Sequence, residues 1–215
     1  GEAKEESSKE FKAFVRKHVF GNPTIWVLAF ANFFVYIVRY AVLDWGPTLL
    51  GEWKGISIQH AGWMVAAFEI SGILGMLTAG WATDRFFGGR GPRVCVLCMA
   101  LATVFIALFW GLQEPSMWLA TCLLGAAGFC IYGPQALVGI AAANIATKKA
   151  AATAVGFTGL FGYASTLVSG WGLGLLAQHY GWDVAVGALI LIAVVGTLIF
   201  MAAWTAKANG YDEGN

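Results

Sequence analysis

The sequence predicts an all-α membrane protein with six transmembrane helices. Three observations predict it. Of 215 residues, 59% are hydrophobic and 12% charged, about half the charge of an ordinary soluble domain. The chain holds 10 Trp and 28 Gly, residues that membrane proteins use at interfaces and at close helix contacts. Six apolar stretches are each long enough to cross a hydrocarbon core of about 30 Å, which takes roughly 20 helical residues.

In chain order, the opening GEAKEESSKE is polar and carries no signal-peptide pattern. It reads as the interior of a longer protein, so the chain is expected to be a fragment and residues 1–22 a cytoplasmic linker. Within it, KEFKAFVRKHVF sets Phe11, Phe14, Val15 and Val19 on one side of a helix. Such a segment either lies on the membrane with its Lys and Arg toward headgroups or is a solvated linker. Asn22 suits a helix cap and Pro23 the first helical position. The bundle is expected over residues 23–207, with spans near 24–50, 60–83, 94–112, 117–146, 150–177 and 184–205, and a cytoplasmic tail at 208–215. GEWKGIS, DRFFGGRGPR, QEPS, TKK and HYGWD separate the spans.

Charge sets the direction. Of 13 Lys and Arg, Lys4, Lys9, Lys12, Arg16, Lys17, Arg85, Arg90, Arg93, Lys148, Lys149 and Lys207 fall on one side of this arrangement. Lys54 alone falls on the other, and Arg39 lies within a span. The positive-inside rule then places both termini in the cytoplasm.

Several chemistries are excluded. Cys95 and Cys98 are spaced like half a zinc site, but no second pair accompanies them, and with Cys122 and Cys130 they read as apolar filler. No metal or other cofactor is expected. His18, His60 and His179 fall near or outside the interfaces, so no buried histidine relays protons. Nucleotide, nuclease, triad and zinc-hydrolase signatures are missing, and the GGRG at 88–91 has no GK[ST] after it. The reading is of a non-enzyme that does not bind nucleic acid and has the lipid bilayer as its surroundings.

Two charges lie where they are costly. An ionised side chain at the bilayer centre costs roughly 2.5–3.5 kcal/mol on insertion scales and marks a site by default. Arg39 lies roughly 21 Å along the first span, and Glu69 roughly 12 Å down the second from the opposite face, so the two share a level. Tyr36 sits one turn from Arg39, and Tyr163 lies roughly 20 Å along the fifth span. Asp44 is nearer the outer end of the first. Arg39 is either a structural ion-pair partner of Glu69 or Asp44 or an anion clamp, since a planar guanidinium holds phosphate through two parallel hydrogen bonds. Tyr36 and Tyr163 are hydrogen-bond donors or packing aromatics. Glu69 positions Arg39, reads a hydroxyl or carries a proton.

VYIVRYAVLDWGPTLL, FEISGILG, GWATDRFFGGRG, YGPQALVGI and TKKAAATAVGFTGLFGY together resemble the C-terminal half of organophosphate:phosphate antiporters of the glycerol-3-phosphate type, a branch of the major facilitator superfamily. The resemblance covers nearly the whole chain after about residue 23. It implies one six-helix half of a twelve-helix fold, with substrate held between the halves at the midplane. It implies as partners a missing N-terminal half, a phosphorylated small molecule and inorganic phosphate, exchanged across the inner (plasma) membrane. Arg39 takes the place of one of two arginines that grip phosphate, Tyr36 and Tyr163 of pocket tyrosines, and Glu69 of a pocket acid. Asp84, Arg85 and Arg90 belong to a superfamily-wide loop with a structural and gating role. Val155 and Thr158 stand where hexose-phosphate members carry an acid and a lysine, an argument against that substrate type. Membrane sensors of sugar phosphate belong to the same branch, and a proton-coupled carrier working through Glu69 is a third reading.

Other features read mainly as packing. Gly156, Gly159 and Gly162 recur every third residue and Gly170 and Gly174 form a GxxxG pair. Pro134 is expected to kink the fourth span, with Gln135 beside it as a pocket contact and Asn144 near the cytoplasmic end.

Overall fold

Asn22 starts the first long helix. Its side chain accepts a hydrogen bond from the Thr24 amide at 3.0 Å, and Pro23, which has no amide hydrogen to leave unsatisfied, takes the first position. In the computed structural model, which describes residues 2–113 and 116–206 with side chains from residue 5 onward, this helix is the second of seven. They are α1 (Glu2–Val15), α2 (Pro23–Lys54), α3 (Ile58–Phe86), α4 (Gly91–Gly111), α5 (Met117–Ala164), α6 (Leu173–Tyr180) and α7 (Trp182–Met201). Two π-helical turns, Arg16–Phe20 and Val168–Gly172, follow α1 and precede α6. No strand occurs among the described residues. Lys207 and the expected tail lie outside them.

Local chemistry sets several of the helix boundaries. Gly55 ends α2 at φ 67, a left-handed position that a side chain would make costly. Ser57 caps α3 and Ser116 caps α5 by accepting backbone hydrogen bonds. The expected linker is helical: Val15 and Val19 are buried, Phe14 is half-buried and Phe11 is exposed. The Lys149 ammonium lies 5.1 Å from the Phe14 ring centre, so this segment lies at the basic end of the bundle.

The fourth and fifth predicted spans form one hydrogen-bonded run, α5, with a break at Thr147. Thr147 has φ 68 and ψ 164, strained for a threonine. The arms 117–146 and 148–164 fold back on each other there. Gln135 on one arm and Tyr163 on the other both meet Tyr36, though a straight helix would hold them about 42 Å apart. The break falls in the TKK segment expected to separate the fourth and fifth spans, while the dihedrals at Pro134 stay helical. The second arm continues through the π-helical turn into α6. Six apolar columns result, with α5 packed against α2, α3 and α4, and α7 against α2 and α4.

The closest contact is between α3 and α5. A Cβ on Gly75 would stand 1.9 Å from the Phe129 carbonyl oxygen, and one on Gly128 would stand 2.3 Å from that of Phe68. Backbones meet here because small residues face each other, which is how helices associate in lipid. The glycines expected to pack divide differently. Gly162 abuts Asn32 and Tyr36, and Gly174 abuts Trp45, but Gly156, Gly159 and Gly170 face open space in this chain. A three-residue step turns only about 300°, so the repeat winds off any single face.

Gly75→Ala is expected to destabilise the protein by about 2 kcal/mol or more, because a backbone carbonyl cannot move aside for a methyl group. Gly187→Ala, where an added Cβ meets nothing within 4 Å, should match or slightly exceed the parent. Thermal unfolding in detergent measures both.

Candidate functional site

Helices α2, α3 and both arms of α5 bring their polar side chains to one place. Arg39 comes from α2. Its Nη2 lies 3.9 Å from Glu69 Oε2 of α3, the one ion pair among the described residues. That separation exceeds hydrogen-bond length, so the pair is electrostatic without being latched. The Arg39 side chain keeps 18% exposure and that of Glu69 33%. Arg39 Nε is buried with no acceptor, leaving the guanidinium with unused donor capacity.

Tyr132, on the first arm of α5, completes the cluster. Its hydroxyl donates to Glu69 Oε1, and the Arg39 Cζ lies 4.5 Å from its ring centre. Tyr40 offers a second aromatic face at 5.5 Å. Desolvated cation–π contacts of this kind contribute about 2 kcal/mol, a scale similar to the cost of placing the charge in the membrane. The ring of Tyr132 fits because position 72 is glycine: a Cβ there would stand 2.4 Å from the ring. Sequence reading missed Tyr132. The signal available was a tyrosine beside Gly133 and Pro134 at the level of Gln135, but nothing in one chain showed which helix it faced.

The other predicted residues are placed as follows. Tyr36 accepts a hydrogen bond from Gln135 Nε2 at 3.4 Å, and its ring meets that of Tyr163 edge to face at 5.8 Å. Gly162 leaves room for this, since a Cβ would lie 3.1 Å from the Tyr36 ring. Asn32, buried, donates to the Thr158 carbonyl at 2.9 Å and ties α2 to the second arm. Gln135 Oε1 is buried without a partner, and Tyr163 is largely exposed. Asp44 is exposed and forms no ion pair among the described residues. Asp84 and Arg85 lie in the last turn of α3 and Arg90 precedes α4, far from Arg39 along the bundle. There Asp84, Thr83 and Asn144 line a small polar pocket. Among the described residues no cluster of metal-binding side chains occurs.

A sequence profile of the Major Facilitator Superfamily matches residues 28–213. The chain belongs to that superfamily. It is a multi-pass, six-column helical bundle of the superfamily fold. A "Probable hexose phosphate transport protein" of Chlamydia muridarum (strain MoPn / Nigg) is 41% identical over 94% of the chain and 45% of its own length. A "Glycerol-3-phosphate transporter" of Haemophilus influenzae (strain ATCC 51907 / DSM 11121 / KW20 / Rd) is 35% identical over 89% of the chain and 44% of its own length. A "Membrane sensor protein UhpC" of Escherichia coli (strain K12) is 36% identical over 85% and 41%. The chain spans under half the length of these relatives. Their names include hexose phosphate and glycerol phosphate alike.

Tyr132→Phe and Glu69→Gln are expected to couple by about 1 kcal/mol or more in a double-mutant cycle on unfolding in detergent, because they share a hydrogen bond. Gln135→Ala and Glu69→Gln share no partner and should add to within about 0.5 kcal/mol.

Proposed function

We propose that this chain is the C-terminal half of a carrier that exchanges a phosphorylated small molecule for inorganic phosphate, with Arg39 as one of its phosphate clamps. One observation carries the reading: a half-buried guanidinium with a buried, unpartnered Nε, a carboxylate neighbour beyond hydrogen-bond length and one open side. Permanent ion-pair partners approach closer and saturate their donors. A doubly charged phosphate outcompetes a single carboxylate for the fork of Arg39. Glu69 then turns to Tyr132 or to a hydroxyl of the organic substrate.

Tyr36 and Tyr163 supply hydrogen bonds from α2 and the second arm of α5, and Gln135 orients Tyr36. Asp44 borders the outer entrance. The positive-inside distribution supports cytoplasmic termini in an inner (plasma) membrane, with the loop of Asp84, Arg85 and Arg90 on that side as a gating element. A preceding six-helix half supplies the second clamp, and rocking of the halves exposes the site alternately to the two sides.

A second reading, a membrane sensor of sugar phosphate, is favoured by the relative of that name. It shares the binding chemistry and differs in turnover.

Arg39→Lys in the carrier containing both halves is expected to lower phosphate counterflow in proteoliposomes by at least about tenfold, because lysine keeps the charge and loses the two-pronged geometry. Near-parental counterflow would remove the clamp role. Tight sugar-phosphate binding by the parent with negligible counterflow would favour the sensor.

A further inference from the structure

On the far side of α2 from Arg39 lies an apolar groove. Phe30 and Arg39 are nine residues apart, about 900° of helix, so they point in opposite directions. Phe30, Phe33 and Phe34 of α2 and Leu160, Phe161 and Ala164 of α5 line the groove, with no polar surface among them. Its aromatic wall continues toward the basic end. Phe30 meets Phe161 at 5.1 Å, Trp26 meets Phe157 at 4.8 Å, and Phe157 meets Phe20 at 5.3 Å. Trp26 Nε1 donates to the Phe20 carbonyl at 2.8 Å and so fixes the π-helical turn to α2. That turn carries Arg16 and Lys17, which with Lys12 and Ala13 line an open basic pocket.

We propose that this face binds one anionic phospholipid, its headgroup phosphate in the Lys12–Arg16–Lys17 pocket and an acyl chain along the Phe30–Phe161 groove. Two features determine the occupant. The groove lies roughly 10–17 Å along α2 from Pro23, the depth that a single leaflet spans in a core of about 30 Å. The three cations at its head have no carboxylate within ion-pair distance among the described residues. Free phosphate has no use for the groove, and a zwitterionic lipid gains little from three uncompensated cations. The proposal depends on the chain crossing the membrane and not on what the Arg39 site carries.

Native mass spectrometry of the carrier containing both halves, offered equal amounts of phosphatidylglycerol and phosphatidylcholine with identical acyl chains, tests it. The parent should retain phosphatidylglycerol about tenfold better. Lys12→Gln/Arg16→Gln/Lys17→Gln, all at exposed positions, should lose that preference with unchanged thermal stability. A phosphatidylglycerol bearing a mid-chain diazirine should label residues 30–34 and 157–164 on irradiation. Equal retention of the two lipids, an unaltered preference in the triple variant, labelling confined to α4 and α7, or displacement of the lipid by inorganic phosphate at modest excess would each overturn the proposal.

Discussion

A guanidinium in the middle of an apolar bundle has to be compensated, and much of the surrounding architecture follows from how that is done. Lipid offers Arg39 no hydrogen bonds and almost no dielectric relief. Compensation comes from Glu69, from the faces of Tyr132 and Tyr40, and from a partly open approach to water. No contact is saturating. The carboxylate lies beyond hydrogen-bond length, and one guanidinium nitrogen has no acceptor. Stability alone would be served better by a closer, bidentate pair, so the incomplete compensation is what supports the proposed binding role of the cluster.

The bundle is built to bring those partners to Arg39. Tyr132 reaches it because α3 and α5 approach to backbone contact at Gly75 and Gly128, and because Gly72 leaves a slot for its ring. Tyr163 reaches Tyr36 because Gly162 removes the side chain that would separate them and because α5 doubles back at Thr147. Thr147 in a left-handed conformation is a local cost borne by the packing of both arms. In lipid, where the hydrophobic effect does not push helices together, these small-residue contacts and a few hydrogen bonds such as Asn32 to Thr158 set the geometry. Side chains on opposite faces of α2 consequently have different surroundings, polar around Arg39 and aromatic around Phe30.

Much of the fold was legible in the residues because lipid imposes strong rules. A run of about 20 apolar residues can only be a helix, since no water satisfies a bare backbone. The caps at Asn22 and Pro23 follow from local chemistry, as does the end of α3 near Arg85. Arg39, Glu69 and Tyr36 stood out because charge and depth are one-dimensional properties that can be counted along a helix. Tyr132 did not, since a tyrosine in an apolar run is unremarkable until its helix is known to face Glu69. The glycine spacing misled for the same reason. Periodicity tells which residues share a face, not whether that face meets a neighbour, so Gly156 and Gly159 looked like packing positions while Gly72, Gly75 and Gly128 passed unnoticed.

By itself, the sequence determined that this protein is helical, that it crosses a membrane several times, which side is basic and which charges are out of place. All of these depend on composition and on spacing along one chain. Only the tertiary structure decided which groups meet: Tyr132 with Glu69, Gln135 with Tyr36, and Trp26 with Phe20 and Phe157. It also decided that the turn in the TKK segment is made by one strained residue, Thr147. Those outcomes depend on how far two backbones can approach, which is set jointly by residues on different helices.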